Sequence, residues 1–149
     1  MTEYQKVFSS FLNKIRKDMD FFKYSDEELE EDMIGIMNNS IPMFKFPREN
    51  LLQKDDDGEF FEDDLKIDTI NVLTNYMLYN WYVRKAANSD STDQRIVSKD
   101  LVFYSQANHI EALRKSAEQA YLNAKKSENT YYRSNNHNPQ IIGLVGDER

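Results

Sequence analysis

A chain of 149 residues, 40% hydrophobic and 13% aromatic, is long enough to bury one real core, and only 4 Gly and 3 Pro exclude a turn-rich β protein. The absence of Cys excludes disulfides, thiolate zinc sites and cysteine nucleophiles. A net charge of -7, from 26 acidic and 19 basic residues, argues against a grip on duplex DNA: the densest basic group, Lys14, Arg16 and Lys17, is followed at once by Asp18 and Asp20. The opening MTEYQKVFSS has neither the basic nor the apolar segment of a secretory signal, so a chain made and kept in a cytoplasm is expected.

Thr2 with Gln5 three residues on forms a capping box, and Tyr4, Phe8, Phe11 and Ile15 repeat at helical spacing. The pattern predicts a first helix over about residues 3–18. Phe21, Phe22 and Tyr24 form an aromatic connector, and Ser25 before Asp26, Glu27 and Glu28 is a second capping box. It opens a helix to about Asn39 with Leu29, Met33, Ile36 and Met37 inward. Gly35 inside that helix costs up to about 1 kcal/mol relative to Ala, which close packing or chance could explain.

From Ile41 to Asp64 the helical period is lost. Pro42 and Pro47 bracket Met43 to Phe46, a short strand by composition, and Glu59 to Phe61 can pair back on it across the Asp-rich turn. A loop this long, residues 42–64, predicts a functional protrusion. Next comes the most apolar stretch, LKIDTINVLTNYMLYNWYVRKAA, with the only Trp and three of the nine Tyr. Ile67, Ile70, Leu73, Met77, Trp81 and Arg84 keep helical spacing, while Val72, Tyr76, Leu78, Tyr79, Tyr82 and Val83 widen the apolar face until it wraps most of the helix. Lys66, Asp68, Arg84 and Lys85 interrupt it too often for a membrane span, so a central buried helix over Leu65 to Ala87 is expected.

Asn88 to Thr92 reads as a polar break, and Ile96 to Tyr104 as a short helical turn beginning near Ser98. Ile110, Leu113, Ala117, Ala120, Tyr121 and Ala124 then mark a long helix over about residues 105–131, with Glu111 to Lys115 a favourable pair. Beyond Arg133 the composition changes: Pro139 and two Gly exclude helix, and Gln140 to Val145 is a β-prone apolar run without a partner strand. The expected fold is mainly α: an antiparallel bundle of about four helices over residues 1–134, a partly extended loop at 42–64, and an extended docking tail at 135–149.

Asp55, Asp57 and Glu59 around Gly58 resemble part of a calcium loop, but Gln53 and Phe61 fall on two ligand positions, so a solvated acidic turn is the better reading. Glu62, Asp63 and Asp64 suit the start of the central helix. His109 and His137 have no partner at metal-ligand spacing, and neither a phosphate loop nor a nucleophile elbow stands out. No cofactor and no metal are expected. A small acidic cytosolic regulatory or inhibitor protein binding one partner fits these features, and a hydrolase or metal enzyme using bundle carboxylates is a further class.

YSDEELEEDMIGIMNNSI, the FKFP segment, LTNYMLYNWYV and DLVFYSQANHIEALRKSAEQAY, in that order over roughly residues 24–132, resemble the head-to-tail adaptor (connector) proteins of tailed bacteriophages. The resemblance implies a structural virion neck protein rather than an enzyme, assembled in the host cytoplasm, with about twelve subunits in a ring. That ring joins the portal protein to a stopper or tail completion protein, and DNA passes its lumen without specific binding; no membrane is involved. The tail residues Pro139, Gln140, Ile141, Ile142, Leu144 and Val145 would then dock on the portal or a neighbouring subunit. The loop residues Phe44, Phe46, Asp55, Asp56, Asp57 and Glu59 would face the lumen or the next ring, their acidity keeping DNA sliding.

Overall fold

The computed structural model describes residues 1–15, 26–92 and 100–135, with side chains described over 1–15, 30–87 and 108–134. In chain order the described elements are β1 (Thr2–Glu3), α1 (Tyr4–Lys14), α2 (Asp26–Ser40), a single 3-10 turn (Ile41–Met43), β2 (Lys54–Asp55), β3 (Phe60–Phe61), α3 (Ile67–Thr92) and α4 (Asp100–Asn135). The chain is a mainly helical bundle with a loop, closed at one end by a three-stranded antiparallel sheet in the order β1-β3-β2. α3 is its centre: α1, α2 and α4 all pack on it. Aromatic area explains that position, because Tyr76, Met77, Leu73, Val72 and Trp81 need cover on several sides at once.

The helical periods read from the sequence give the core. Tyr4, Phe8, Phe11 and Ile15 are buried on α1, and Met33, Ile36 and Met37 on α2. Leu113, Ala117, Ala120 and Ala124 form the inner face of α4, whose small side chains let α3 approach. Three expected core residues are outside it: Ile67 is 80% exposed at the first turn of α3, and Val83 and Tyr121 lie at the surface.

Several boundaries differ from the sequence reading. α1 begins at Tyr4 with Glu3 as its cap residue and no side-chain cap, because Thr2 is engaged elsewhere. Its hydroxyl accepts from the Leu65 N–H at 2.8 Å and donates to the Asp63 carbonyl at 3.1 Å, while β1 pairs Thr2 with Phe61 and Glu3 with Phe60. α1 ends at Lys14, short of the expected residue 18, where the Ile15 N–H turns back to Leu12 O. The predicted strand at Met43–Phe46 does not form: Pro42 has no N–H to give a ladder and sits in the first turn of the 3-10 helix instead. β3 pairs with Lys54–Asp55, so the Asp-rich segment is the loop of a hairpin whose other strand lies eight residues beyond Phe46.

α3 continues through the expected polar break to Thr92. Asn, Ser, Asp and Thr are weak helix formers, but without Gly or Pro nothing stops propagation once the helix exists. α4 runs from Asp100 to Asn135, so the described part of the predicted turn near Ser98 is the start of α4 itself. The aromatic connector, the Ser25 cap and the tail Pro139–Val145 lie outside the described residues.

Gly35 needs no glycine-specific space. A Cβ there would meet the Arg84 guanidinium at 3.6 Å, an ordinary contact, in a helix whose Asp32 holds Arg84 at 3.0 Å. Gly35→Ala is therefore expected to raise stability by about 0.5–1 kcal/mol and the melting temperature by about 1–4 °C, read by thermal unfolding. An unchanged or lowered melting temperature would place another constraint at this position.

Candidate functional site

The loop at 42–64 is packed on the bundle rather than protruding from it. Phe44, Leu51 and Phe61 are core residues, and two hydroxyls of α4 hold the intervening backbone. Tyr131 accepts from the Arg48 N–H at 2.8 Å and Tyr132 accepts from the Phe46 N–H at 3.1 Å. The Glu49 carboxylate accepts from Thr69 Oγ1 at 2.5 Å and from the Lys66 N–H at 3.4 Å, so it satisfies the start of α3. Asp63, expected in that role, instead accepts from the Asn50 N–H at 2.6 Å.

Each loop residue predicted to face a lumen or another ring now has a position. Phe44 is buried edge-on against Tyr131 at 5.1 Å and is no surface residue. Phe46 is 74% exposed, with its ring edge on Tyr132. Asp55 closes the hairpin loop by accepting from the Asp57 and Gly58 N–H groups, both at 3.0 Å. Asp56 accepts from Tyr4 and Lys54, both at 2.6 Å, and Lys54, then Tyr4, hold its carboxyl below the usual carboxylate range. Asp57 points to solvent, and Glu59 adopts φ 56° while its carbonyl accepts from the Tyr4 N–H at 2.8 Å. The acidic turn is thus a fastening of the hairpin to α1 with one exposed carboxylate face.

Between α3 and α4 lies a second polar knot. Glu128, 5% exposed, accepts from Tyr76 and, at 2.7 Å, from Tyr132. Burial first, then the hydrogen bond to Glu128, pushes the Tyr132 phenol up to about 12 and Tyr76 further still. Tyr4 is raised likewise, by burial and by Asp56. On the side of α1, the Lys14 ammonium donates to Asn71 Oδ1 at 2.8 Å and Asn75 Oδ1 at 2.6 Å, and burial pulls it down to about 8.

Farther along the same two helices is an open groove of about 670 Å³. Tyr79, Val83 and Ala86 of α3 and Ala117 and Tyr121 of α4 form its apolar lining, with Glu111, Arg114, Lys115 and Glu118 at its edge and Lys115 paired with Glu111 at 3.5 Å. Val83 in that lining is exposed, and Tyr79 stacks obliquely on Tyr121 at 5.3 Å. Sequence reasoning assigned Val83 and Tyr121 to the core. The signal for a groove was the mismatch between an aromatic α3 and an Ala-rich stripe on α4, which leaves the edges of the seam unfilled.

His109 is exposed on α4, and among the described residues no group of three or more His, Asp or Glu is placed to hold a metal ion. No helix among the described residues is long and apolar enough to cross a membrane. The architecture defines a mainly α bundle with a small capping sheet. No family model matches the chain, and neither a curated protein nor a solved structure matches it.

The tyrosine shifts fix an alkaline signature. The unfolded chain ionises its tyrosines near 10, while the folded one keeps Tyr4, Tyr76 and Tyr132 protonated to about 12 or beyond, so these three stabilise fully below pH 10 and that contribution is lost as pH rises above it. Lys14 acts oppositely, because the folded chain gives up its proton at about 8 and the unfolded one at 10.5; its contribution grows between those values. Denaturant midpoints are expected to hold or rise from pH 8 to 10 and then fall. In a phenolate absorbance titration, three of the nine tyrosines should ionise only with unfolding; smooth ionisation of all nine near pH 10 in the folded protein would contradict the buried network.

Proposed function

We propose that this protein works by docking rather than by chemistry, as a ring-forming head-to-tail adaptor that joins a phage portal to a stopper or tail and continues the DNA channel. One observation carries the docking part: the clustered polar side chains are engaged in holding the fold, while the α3–α4 seam stays open and apolar at the surface. Glu128, Glu49, Asp56 and Asp63 each satisfy groups of the protein's own loop or helices. The adaptor part rests on the order of sequence words from YSDEELEEDMIGIMNNSI to DLVFYSQANHIEALRKSAEQAY.

In this reading the bundle is a rigid ring segment, and Pro139 to Val145 makes the connection to portal or neighbour. One apolar tail contributes little after ordering entropy, but about twelve acting together gain avidity through effective concentration. The -7 charge suits a subunit that DNA slides past.

Native mass spectrometry of the full chain, alone and mixed with a portal ring from the same source, tests this. The expected result is a ring-sized species, or a portal complex that disappears on deletion of residues 138–149 while the shortened chain keeps its helical circular dichroism. A persistent monomer that ignores the portal would overturn the adaptor reading in favour of a single-partner regulator. Loss of helical structure on the deletion would make the tail part of the core.

A further inference from the structure

Asp57 and Gly58 form the only Asp-Gly step in the chain, and such a step carries a chemistry of its own. With no side chain on the second residue, its backbone nitrogen can approach the carboxyl carbon of the first. The Gly58 nitrogen gives up its proton and bonds Asp57 Cγ, one of whose oxygens leaves as water, so that a five-membered imide forms. Water then opens the imide at the former main-chain carbonyl. Composition is unchanged, but the backbone now runs through Asp57 Cβ and Cγ and is one carbon longer.

That extra carbon would fall where the hairpin is fastened to α1. Asp55 and Phe60 pair across β2 and β3, and residues 56–59 are the loop between them. On one side of the labile step Asp56 accepts the Tyr4 hydroxyl at 2.6 Å, and on the other the Glu59 carbonyl accepts the Tyr4 N–H at 2.8 Å. Lengthening the backbone between them puts both fastenings out of register. Replacing the glycine would remove the hazard, but a Cβ at Gly58 would fall 2.6 Å from Phe60 Cε1 and 2.9 Å from Asp55 Oδ2. The close turn thus requires the residue that makes the step labile.

We infer that Asp55 guards this step: its side chain holds the Gly58 nitrogen away from the Asp57 carboxyl and keeps Asp57–Gly58 from rearranging to isoaspartate. Asp55 Oδ1 accepts from the Gly58 N–H and from the Asp57 N–H, both at 3.0 Å. A negative acceptor favours the protonated nitrogen and so opposes the first event of the rearrangement. The two bonds together fix the peptide planes on either side of Asp57, whose own side chain stays exposed. The guard acts on the backbone, independently of any partner the protein has.

The test incubates the purified full-length chain at neutral pH and follows isoaspartate at residue 57 by mass spectrometry of the digest, with electron-transfer fragmentation to tell the two linkages apart at equal mass. Asp55→Ala removes the acceptor, and Asp55→Asn restores one as an amide oxygen. Tyr4→Phe loosens the hairpin from α1 at Asp56 without touching Asp55. Circular dichroism checks that each variant keeps its helices. The expected result is isoaspartate formation at least fivefold slower in the wild-type chain and in Tyr4→Phe than in Asp55→Ala, with Asp55→Asn also slower than Asp55→Ala. An Asp55→Ala rate equal to wild type would overturn the guard. So would a Tyr4→Phe rate equal to that of Asp55→Ala, which would assign the protection to the general tightness of the loop. The wild-type chain unfolded in urea gives a reference that rests on no variant: a folded chain that rearranges as fast as the unfolded one has no guard.

Discussion

A carboxylate that leaves water must find donors where it goes, and Glu128 finds them on two elements at once. Tyr76 reaches it from α3 and Tyr132 from the next turn of α4. Leaving a buried polar group of this kind unpaired costs about 1–3 kcal/mol, so the two long helices are held to the register that closes the knot. An Ala stripe alone would allow α3 to slide along α4 with small loss. The Glu128 knot removes that freedom, and Asn75 with Ser127 at 3.0 Å adds a second peg at the neighbouring residue of each helix.

The same two turns of α4 organise everything near them. Tyr132 passes its oxygen on to the Phe46 N–H, and Tyr131 takes the Arg48 N–H while lying within 3.3 Å of Thr69 Oγ1. A loop of more than twenty residues is thereby tied down by a few side chains. Its apolar residues Phe44, Leu51 and Phe61 then fill the end of the core, and Asp68 with Arg48 at 2.6 Å closes the outside. Tyr131, Tyr132, Arg48 and Asp68 are thus occupied in holding the loop to the bundle.

Period and composition made the helices legible: the buried faces of α1, α2 and α4 and the centrality of α3 follow from spacing alone. The loop was not legible, because its fastenings join residues that are far apart in sequence. Nothing local says that Tyr4 serves Asp56, or that Tyr131 serves Arg48. Thr2 shows the limit most clearly. Its capping-box pattern with Gln5 is present, yet two backbone groups about sixty residues away take the hydroxyl while Phe61 pairs with the Thr2 backbone. The groove was hidden for a related reason, since a hydrophobic period tells which side chains seek cover but not whether the opposing helix is bulky enough to provide it.

The placement of β1 also sets an order of events on the ribosome. Thr2 and Glu3 are made before their strand partners Phe60 and Phe61, and the hydroxyl of Thr2 waits for Asp63 and Leu65. The N-terminal end of α1 is therefore synthesised early and anchored late, after a loop of about sixty residues has closed. Until then Tyr4 lacks both the Phe61 ring it packs on and the Asp56 carboxylate it donates to.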